Sequence, residues 1–138
     1  MLRAAAAGLV VAVVLAPTAS ADPTPLPEVP ISPGATFADN PAIVDPHPLA
    51  AESWSRLDPE PVLALNVSLG SPDCYGVHVT AQETEQAVVV TLTSGRRSDR
   101  ARMVCTMMIM PGKIFVPLAN PVGGRAVLDA EQDPASPN

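Results

Sequence analysis

The central and carboxy-terminal parts of the chain alternate apolar and polar residues, with the period of two that a β-strand requires. The alternating segments are rich in β-branched residues, which favour strands. The pattern begins at Val62 and ends near Asp129. We therefore predict an all-β domain over residues 62–130. Its strands are predicted at residues 63–68, 77–80, 88–93, 103–110, 114–118 and 125–129.

Turn-forming residues separate these segments. Glycine, proline, asparagine and aspartate favour tight turns, and they cluster at residues 70–73, 94–95, 111–112 and 120–124. Such short connections favour antiparallel neighbours, because a parallel crossover needs a dozen or more residues. The predicted fold is an antiparallel meander of five or six strands, arranged as a small sandwich or a partly closed barrel.

The stretch over residues 22–61 has a different composition, with ten prolines in forty residues. Proline lacks an amide donor and fixes one backbone dihedral, so neither a helix nor a central strand is expected there. We interpret the stretch as an extended, proline-rich tether, with room for a short helix at residues 49–57. Trp54, the single tryptophan, either packs this segment onto the domain or anchors a partner, as tryptophan does at interface hot spots.

The amino-terminal segment has the three parts of a secretory signal. A cationic start with Arg3 precedes an uncharged apolar run over residues 4–16, and small residues at 19–21 precede Asp22. The run of 13 residues is shorter than the roughly 20 that span a bilayer. Residues 1–21 are predicted to be a cleaved signal peptide, with an uncleaved anchor as the alternative. The processed chain is expected to be secreted or held in the cell envelope, without a transmembrane segment.

The charge balance becomes more acidic after cleavage. The whole chain has 8 basic and 14 acidic side chains, and loss of Arg3 leaves a formal charge of −7. Nucleic-acid binding needs a basic surface, so it is not expected. The remaining length suffices for one domain, and residues 131–138 are expected to be a disordered tail.

The two cysteines offer a covalent stabiliser for a domain with few aromatic side chains. Joining Cys74 to Cys105 closes a loop of about 31 residues, which the chain-entropy treatment values at about 3.7 kcal/mol. Export would place both in an oxidising compartment where a disulfide persists. A structural disulfide is therefore predicted, with a free thiol or an intermolecular bridge as alternatives.

Sequence motifs for catalysis or metal binding are missing. His47 and His78 are the only histidines, and neither belongs to a zinc or hydrolase motif. Four methionines surround Cys105, and soft thioethers can bind Cu(I), although packing of the core is the preferred interpretation. No cofactor is predicted, and catalysis is not expected. The methionines are Met103, Met107, Met108 and Met110.

Residues 94–102 concentrate four of the seven basic side chains of the processed chain. One interpretation is a solvated hairpin loop whose charges discourage edge pairing. The other is a binding patch, with Trp54 as a second contact, for an anionic envelope polymer, a lipid headgroup or an acidic protein, since guanidinium groups fork onto phosphate or carboxylate. The four residues are Arg96, Arg97, Arg100 and Arg102.

Three features together resemble a group of small exported proteins from mycobacteria and related actinobacteria, whose function is not established. They are the processed start at Asp22 and Pro23, one cysteine pair across the central strands, and the closing segment PVGGRAVLD at residues 121–129. The resemblance covers residues 62–129 and implies an exported β-domain, without transferring catalytic residues. Taken together, the sequence features favour a non-catalytic binding or structural module of the envelope or extracellular space. The alternatives are a small secreted enzyme with a loop-assembled site and a carrier of a small apolar ligand.

Processing of the signal gives the first prediction. Mass spectrometry of exported protein is expected to find Asp22 at its amino terminus, because the small residues at 19–21 satisfy a signal peptidase. Exported material that begins at Met1 would contradict this prediction.

Overall fold

The computed structural model describes residues 7–13 and 22–130. The predicted cleavage point after Ala21 and the predicted tail at 131–138 lie outside the described residues. Residues 7–13, within the apolar run of the predicted signal, are exposed and have no regular secondary structure. No helix in the described ranges is long and apolar enough to cross a membrane.

The prediction of an all-β protein is confirmed for the described chain. Nine strands within residues 22–130 form two sheets, and a single 3₁₀ turn covers Ser98–Arg100. The strands are β1 (Thr24–Pro25), β2 (Ala35–Phe37), β3 (Ile43–Pro48), β4 (Ser53–Arg56), β5 (Val62–Leu69), β6 (Tyr75–Glu83), β7 (Ala87–Arg97), β8 (Met110–Pro117) and β9 (Ala126–Asp129).

The first sheet is built around β7, the longest of these strands. Strand β6 pairs with it antiparallel along one edge, from Tyr75 to Glu83. The other edge is shared: β9 pairs in parallel with residues 87–90, and β3 pairs antiparallel with residues 93–97. Strand β1 adds antiparallel to β9. Strand β7 therefore joins segments that precede it in the chain to a segment that follows it.

The second sheet has the order β2-β8-β5-β4. Strands β5 and β8 pair antiparallel through eight residues each, β4 adds antiparallel to β5, and β2 adds in parallel to β8. The two sheets share one hydrophobic cluster and are not closed into a barrel. Its fully buried members come from alternate positions of the strands, as the period of two requires, and include Leu63, Leu65, Val88, Val90, Leu92 and Ile114.

The antiparallel meander is only partly right, because the sheets are mixed. Among the described strands, β2–β8 and β7–β9 are parallel pairs, and β4–β5 and β6–β7 are the pairs of consecutive strands. The connection between β7 and β8 spans residues 98–109 and passes from one sheet to the other. A connection of that length allows a change of sheet, which a tight hairpin turn does not.

The tether and short helix predicted before residue 62 are replaced by strands β1 to β4. Residues 53–56 of the expected helix form β4, whose Trp54 donates from its amide to the Pro27 carbonyl at 3.0 Å and accepts from the Val29 amide at 2.8 Å. Prolines are tolerated here because edge strands and strand ends need fewer amide donors. Pro46 lies where the register between β3 and β7 shifts.

Two segments that were predicted to be turns, residues 94–95 and 111–112, lie inside strands instead. The strand predicted at 103–110 is absent, and β8 begins at Met110 and runs through Pro111 and Gly112. Gly112 packs against Phe37, where a Cβ atom would lie 2.4 Å from the ring, and Gly95 of β7 lets the Val44 carbonyl of β3 approach equally closely. These glycines serve close strand packing rather than chain reversal.

The segment after β8 is organised by Arg125. Its guanidinium donates to the carbonyls of Asn120, Pro121 and Val122 and pairs with Glu83 at 3.1 Å. Gly123 adopts a positive φ of 58°, a conformation that glycine accepts readily. A hydrogen bond from the Ala119 amide, helped by Arg125, lowers the pKa of the Glu83 carboxyl against the opposing effect of burial. The closing segment is thus fixed to the end of β6.

This lowered pKa predicts an acid-sensitive contribution to stability. Ionised Glu83 stabilises the fold above its unfolded pKa of about 4.3, and that contribution is lost as pH falls through the lower folded pKa. Glu83→Gln should therefore reduce the urea midpoint at pH 7 and flatten its dependence on pH below about 5. The control is Glu85→Gln, at an exposed residue nearby. An unchanged slope in the Glu83 variant would contradict the assignment.

Candidate functional site

The candidate site is the connection between β7 and β8, residues 98–109, which we call the arginine–methionine loop. The predicted disulfide is confirmed: Cys105 in this loop bonds Cys74, with a Cα–Cα distance of 6.1 Å. Cys74 is buried in a turn closed by its amide on the Ser71 carbonyl at 3.0 Å. The Cys74 carbonyl accepts from the Arg97 amide at 2.8 Å. The cross-link therefore joins the middle of the loop to a fixed part of the first sheet.

Arg96, near the end of β7, holds the loop in place through its side chain. One terminal nitrogen, Nη2, donates to the Met103 carbonyl at 2.6 Å and lies 3.0 Å from Cys105 Sγ. Its Nε is buried and has no hydrogen-bond partner in the described structure. Because this guanidinium is held against the backbone and the disulfide, Arg96 acts as an internal brace of the loop.

The positive charge of Arg97 is balanced by the carboxylate of Asp99. Its guanidinium forms two hydrogen bonds with Asp99, at 3.1 and 2.8 Å, and a third with the Pro72 carbonyl at 3.1 Å. The hydrogen bonds from Arg97 lower the pKa of the Asp99 carboxyl, so the pair stays ionised near neutral pH. This pair fixes the 3₁₀ turn and leaves little net charge at that position.

Arg100 and Arg102 are the two cations within the loop; after the hydrogen bonds from Arg97, the charge of Arg100 also lowers the pKa of the Asp99 carboxyl. Arg100 is half-buried and donates from Nη1 to the Met103 sulfur at 3.1 Å, and Arg102 is exposed. Within residues 22–130, no carboxylate forms an ion pair with either of them. Of the four arginines predicted to form the binding patch, Arg96 and Arg97 therefore hold the loop in place. Arg100 and Arg102 remain available to bind an anion.

The loop also exposes apolar side chains, which the sequence placed in a strand. Val104 is fully exposed, and Met107 and Ile109 are 94% and 77% exposed. Met103 and Met108 are also exposed, so the expectation that methionines here pack the core is wrong for these residues. Contiguous exposed apolar surface marks interaction sites in folded proteins. The uninterrupted apolar run at 107–110 was the sequence signal for this surface, since it breaks the strand alternation.

Trp54 does not belong to this surface. It lies on β4 of the second sheet, is 4% exposed and joins the shared core. Arg56 lies over its ring at 5.2 Å from the centroid and pairs with Glu28 and Asp58. The indole is therefore a packing element, and the alternative of an exposed anchor lacks the exposed face it needs.

An open groove of about 570 Å³ adjoins the loop at Arg97 and Asp99. Asp39 lines it and accepts from His78 Nδ1 at 2.8 Å and from the Val79 amide at 2.9 Å. In the described ranges, no three histidine, cysteine or acidic side chains are grouped so as to hold a metal ion. The groove is polar, and two of its carboxylates, those of Asp39 and Asp99, accept from neighbouring donors.

A serine–histidine contact exists elsewhere in the first sheet. Ser94 Oγ lies 3.0 Å from His47 Nε2, and His47 Nδ1 lies 3.4 Å from the Asp45 backbone carbonyl. Ser94 is only 5% exposed, whereas a nucleophilic serine must reach its substrate. The contact joins β3 to β7 across their shifted register.

Comparisons with known proteins add no relatives to this picture. No protein-family model matches the chain, nor does any curated protein or solved structure. The chemistry of the loop itself is therefore what indicates its function.

The disulfide predicts a measurable share of the stability. Cys74→Ser with Cys105→Ser should lower the free energy of unfolding by about 2–4 kcal/mol, which corresponds to a loss of roughly ten degrees or more in Tm for a domain of this size. Reduction of the unmodified protein should reproduce this loss. As a control, the same reductant should leave the Tm of the double variant unchanged. Equal melting of oxidised and reduced protein would contradict the stabilising role.

Proposed function

We propose that the protein is an exported, non-catalytic binding module of the cell envelope or extracellular space, and that it binds an anionic envelope component through the arginine–methionine loop. The observation that carries the proposal is that two cations without an ion pair, Arg100 and Arg102, lie beside exposed apolar side chains on a loop that a disulfide holds in place.

Local charge supports an anionic partner. The chain is acidic overall, with a formal charge of −6. Yet no aspartate or glutamate occurs between Asp99 and Asp129, and Asp99 is already paired with Arg97. Arg100 and Arg102 thus begin a stretch of the sequence that contains no carboxylate. Guanidinium groups bind phosphate and carboxylate through paired hydrogen bonds, so an anionic polymer or lipid headgroup is a suitable ligand.

The fixed loop geometry also favours binding. A loop that is already ordered loses less conformational freedom when its partner binds. The cross-link at Cys105 and the Arg96 hydrogen bonds to the loop provide this order. Holding the loop through covalent and buried contacts leaves Arg100, Arg102 and the apolar side chains free for a partner.

Export is supported by three features. The amino-terminal segment has the composition of a signal peptide, and the disulfide is of the kind that persists outside the cytosol. The resemblance of residues 62–129 to small exported actinobacterial proteins implies the same compartment. A cell-envelope or extracellular setting also supplies anionic polymers and headgroups as partners.

Retention in the envelope tests the proposal. Arg100→Ser with Arg102→Ser should move the protein from the envelope fraction to the medium, with roughly fivefold weaker retention for each arginine lost. The matched control is Arg100→Lys with Arg102→Lys, which keeps the charges and should retain most of the binding. In both variants Arg96 and Arg97, which hold the loop in place, are unchanged. Unchanged retention of the serine variant, folded and exported normally, would refute the proposed role of the loop.

A further inference from the structure

The apolar end of the loop has no function in the fold described so far. Five exposed side chains crowd residues 103–109, and none of them belongs to the hydrophobic cluster shared by the sheets. Exposing so much apolar surface on one short segment is unfavourable in water. It is therefore the strongest indication of a binding surface among the described residues. The five are Met103, Val104, Met107, Met108 and Ile109.

We propose that this apolar tip inserts into the interfacial layer of an anionic phospholipid bilayer while Arg100 and Arg102 bind the lipid phosphates. The inference rests on the proposed function, because it names the envelope component that the loop contacts. The proposed partner is a lipid bilayer rather than a polymer or a protein.

The composition of the tip fits a bilayer. Exposed apolar side chains beside arginine are the arrangement by which peripheral segments bind anionic membranes. An anionic polymer offers charge to the arginines but no apolar phase for Met107, Met108 and Ile109. Unbranched methionine side chains adapt to irregular apolar surroundings, as lipid chains require. Charge complementarity and apolar exposure thus point to the same occupant.

The backbone of the tip limits how deep it can lie. Residues 104–109 form no backbone hydrogen bonds in the described structure. Unpaired amides and carbonyls are costly inside hydrocarbon, so the tip cannot cross the bilayer. At the boundary between headgroups and acyl chains, water still reaches the backbone while the side chains enter the apolar layer. The tip therefore inserts only to a shallow depth and from one side of the bilayer.

The acidic groups nearby do not cancel the attraction. Asp99 is paired with Arg97, and Asp73 follows Pro72, whose carbonyl accepts from the same arginine. Asp73 thus lies on the Arg97 side of the loop, and Asp99 is held by Arg97 although it also attracts Arg100, whereas the tip follows Arg102 in the chain. The Debye length is about 8 Å at physiological ionic strength, so more distant carboxylates of the acidic body are largely screened.

Vesicle binding tests the inference. The processed, oxidised protein should cosediment with phosphatidylcholine vesicles that contain phosphatidylglycerol, and bind far less to pure phosphatidylcholine. Met107→Ser with Met108→Ser and Ile109→Ser should weaken binding by roughly tenfold or more, given the apolar area lost. Ile31→Ser is the matched control, because Ile31 is an exposed aliphatic residue outside the loop, and its binding should be unchanged. All these side chains are exposed, so folding should be preserved.

Fluorescence locates the contact. Met107→Trp places an indole at the tip, and its emission should shift to the blue and be quenched by brominated lipids when anionic vesicles are added. Trp54 is buried and gives a constant background. Ile31→Trp is the matched control and should show neither change. An indole at 107 that stays fully hydrated in the presence of bound vesicles would overturn insertion of the tip.

The two assays separate this inference from the proposed function. Lost envelope retention in the arginine variant, together with no vesicle binding by the unmodified protein, would overturn the bilayer inference and leave an anionic polymer or protein as the partner. A tip that instead holds two copies together in sedimentation experiments would also overturn it. Unchanged retention of the arginine variant would refute the proposed function whatever the vesicles show.

Discussion

The bond between Cys74 and Cys105 is the constraint on which the exposed loop depends. The loop leaves the first sheet after Arg97 and enters the second sheet at Met110, and its backbone after Met103 forms no hydrogen bonds in the described structure. Without the bond, the segment would be tied by its two ends, the Arg97–Asp99 pair and the bonds from Arg96. The covalent link instead fixes it to a turn of the first sheet, so an unpaired backbone can still present a defined surface.

Local sequence patterns could predict the strands that bury one face. Segments 63–68 and 88–93 lie within β5 and β7 because alternate residues such as Leu65 and Val90 are fully buried. The strands before residue 62 were missed for a physical reason: their pairing partners lie far along the chain, and edge positions tolerate proline. The parallel pairs were missed because local alternation shows which face of a strand is buried and not which strand lies beside it.

The composition of the candidate site could be predicted from the sequence, but the role of each arginine could not. Four arginines in nine residues mark a cationic segment, but the sequence alone does not show that Arg96 lies against the disulfide or that Arg97 pairs with Asp99. Both roles depend on how the loop folds back over β7. The same holds for Trp54, whose burial follows from the strand pairing of β4. Tertiary contacts decide which charges remain free.

In the proposed binding mode, the distribution of charge determines which side of the molecule faces an anionic surface. An acidic body is repelled by anionic surfaces, while a carboxylate-free segment with Arg100 and Arg102 is attracted to them. In the proposed binding mode, the molecule therefore has one preferred orientation towards such a surface, with the tip nearest to it. The same acidic body keeps copies of the chain apart, which counters the tendency of exposed apolar side chains to associate. An apolar tip is thus compatible with an isolated protein because the charges around it are unevenly placed.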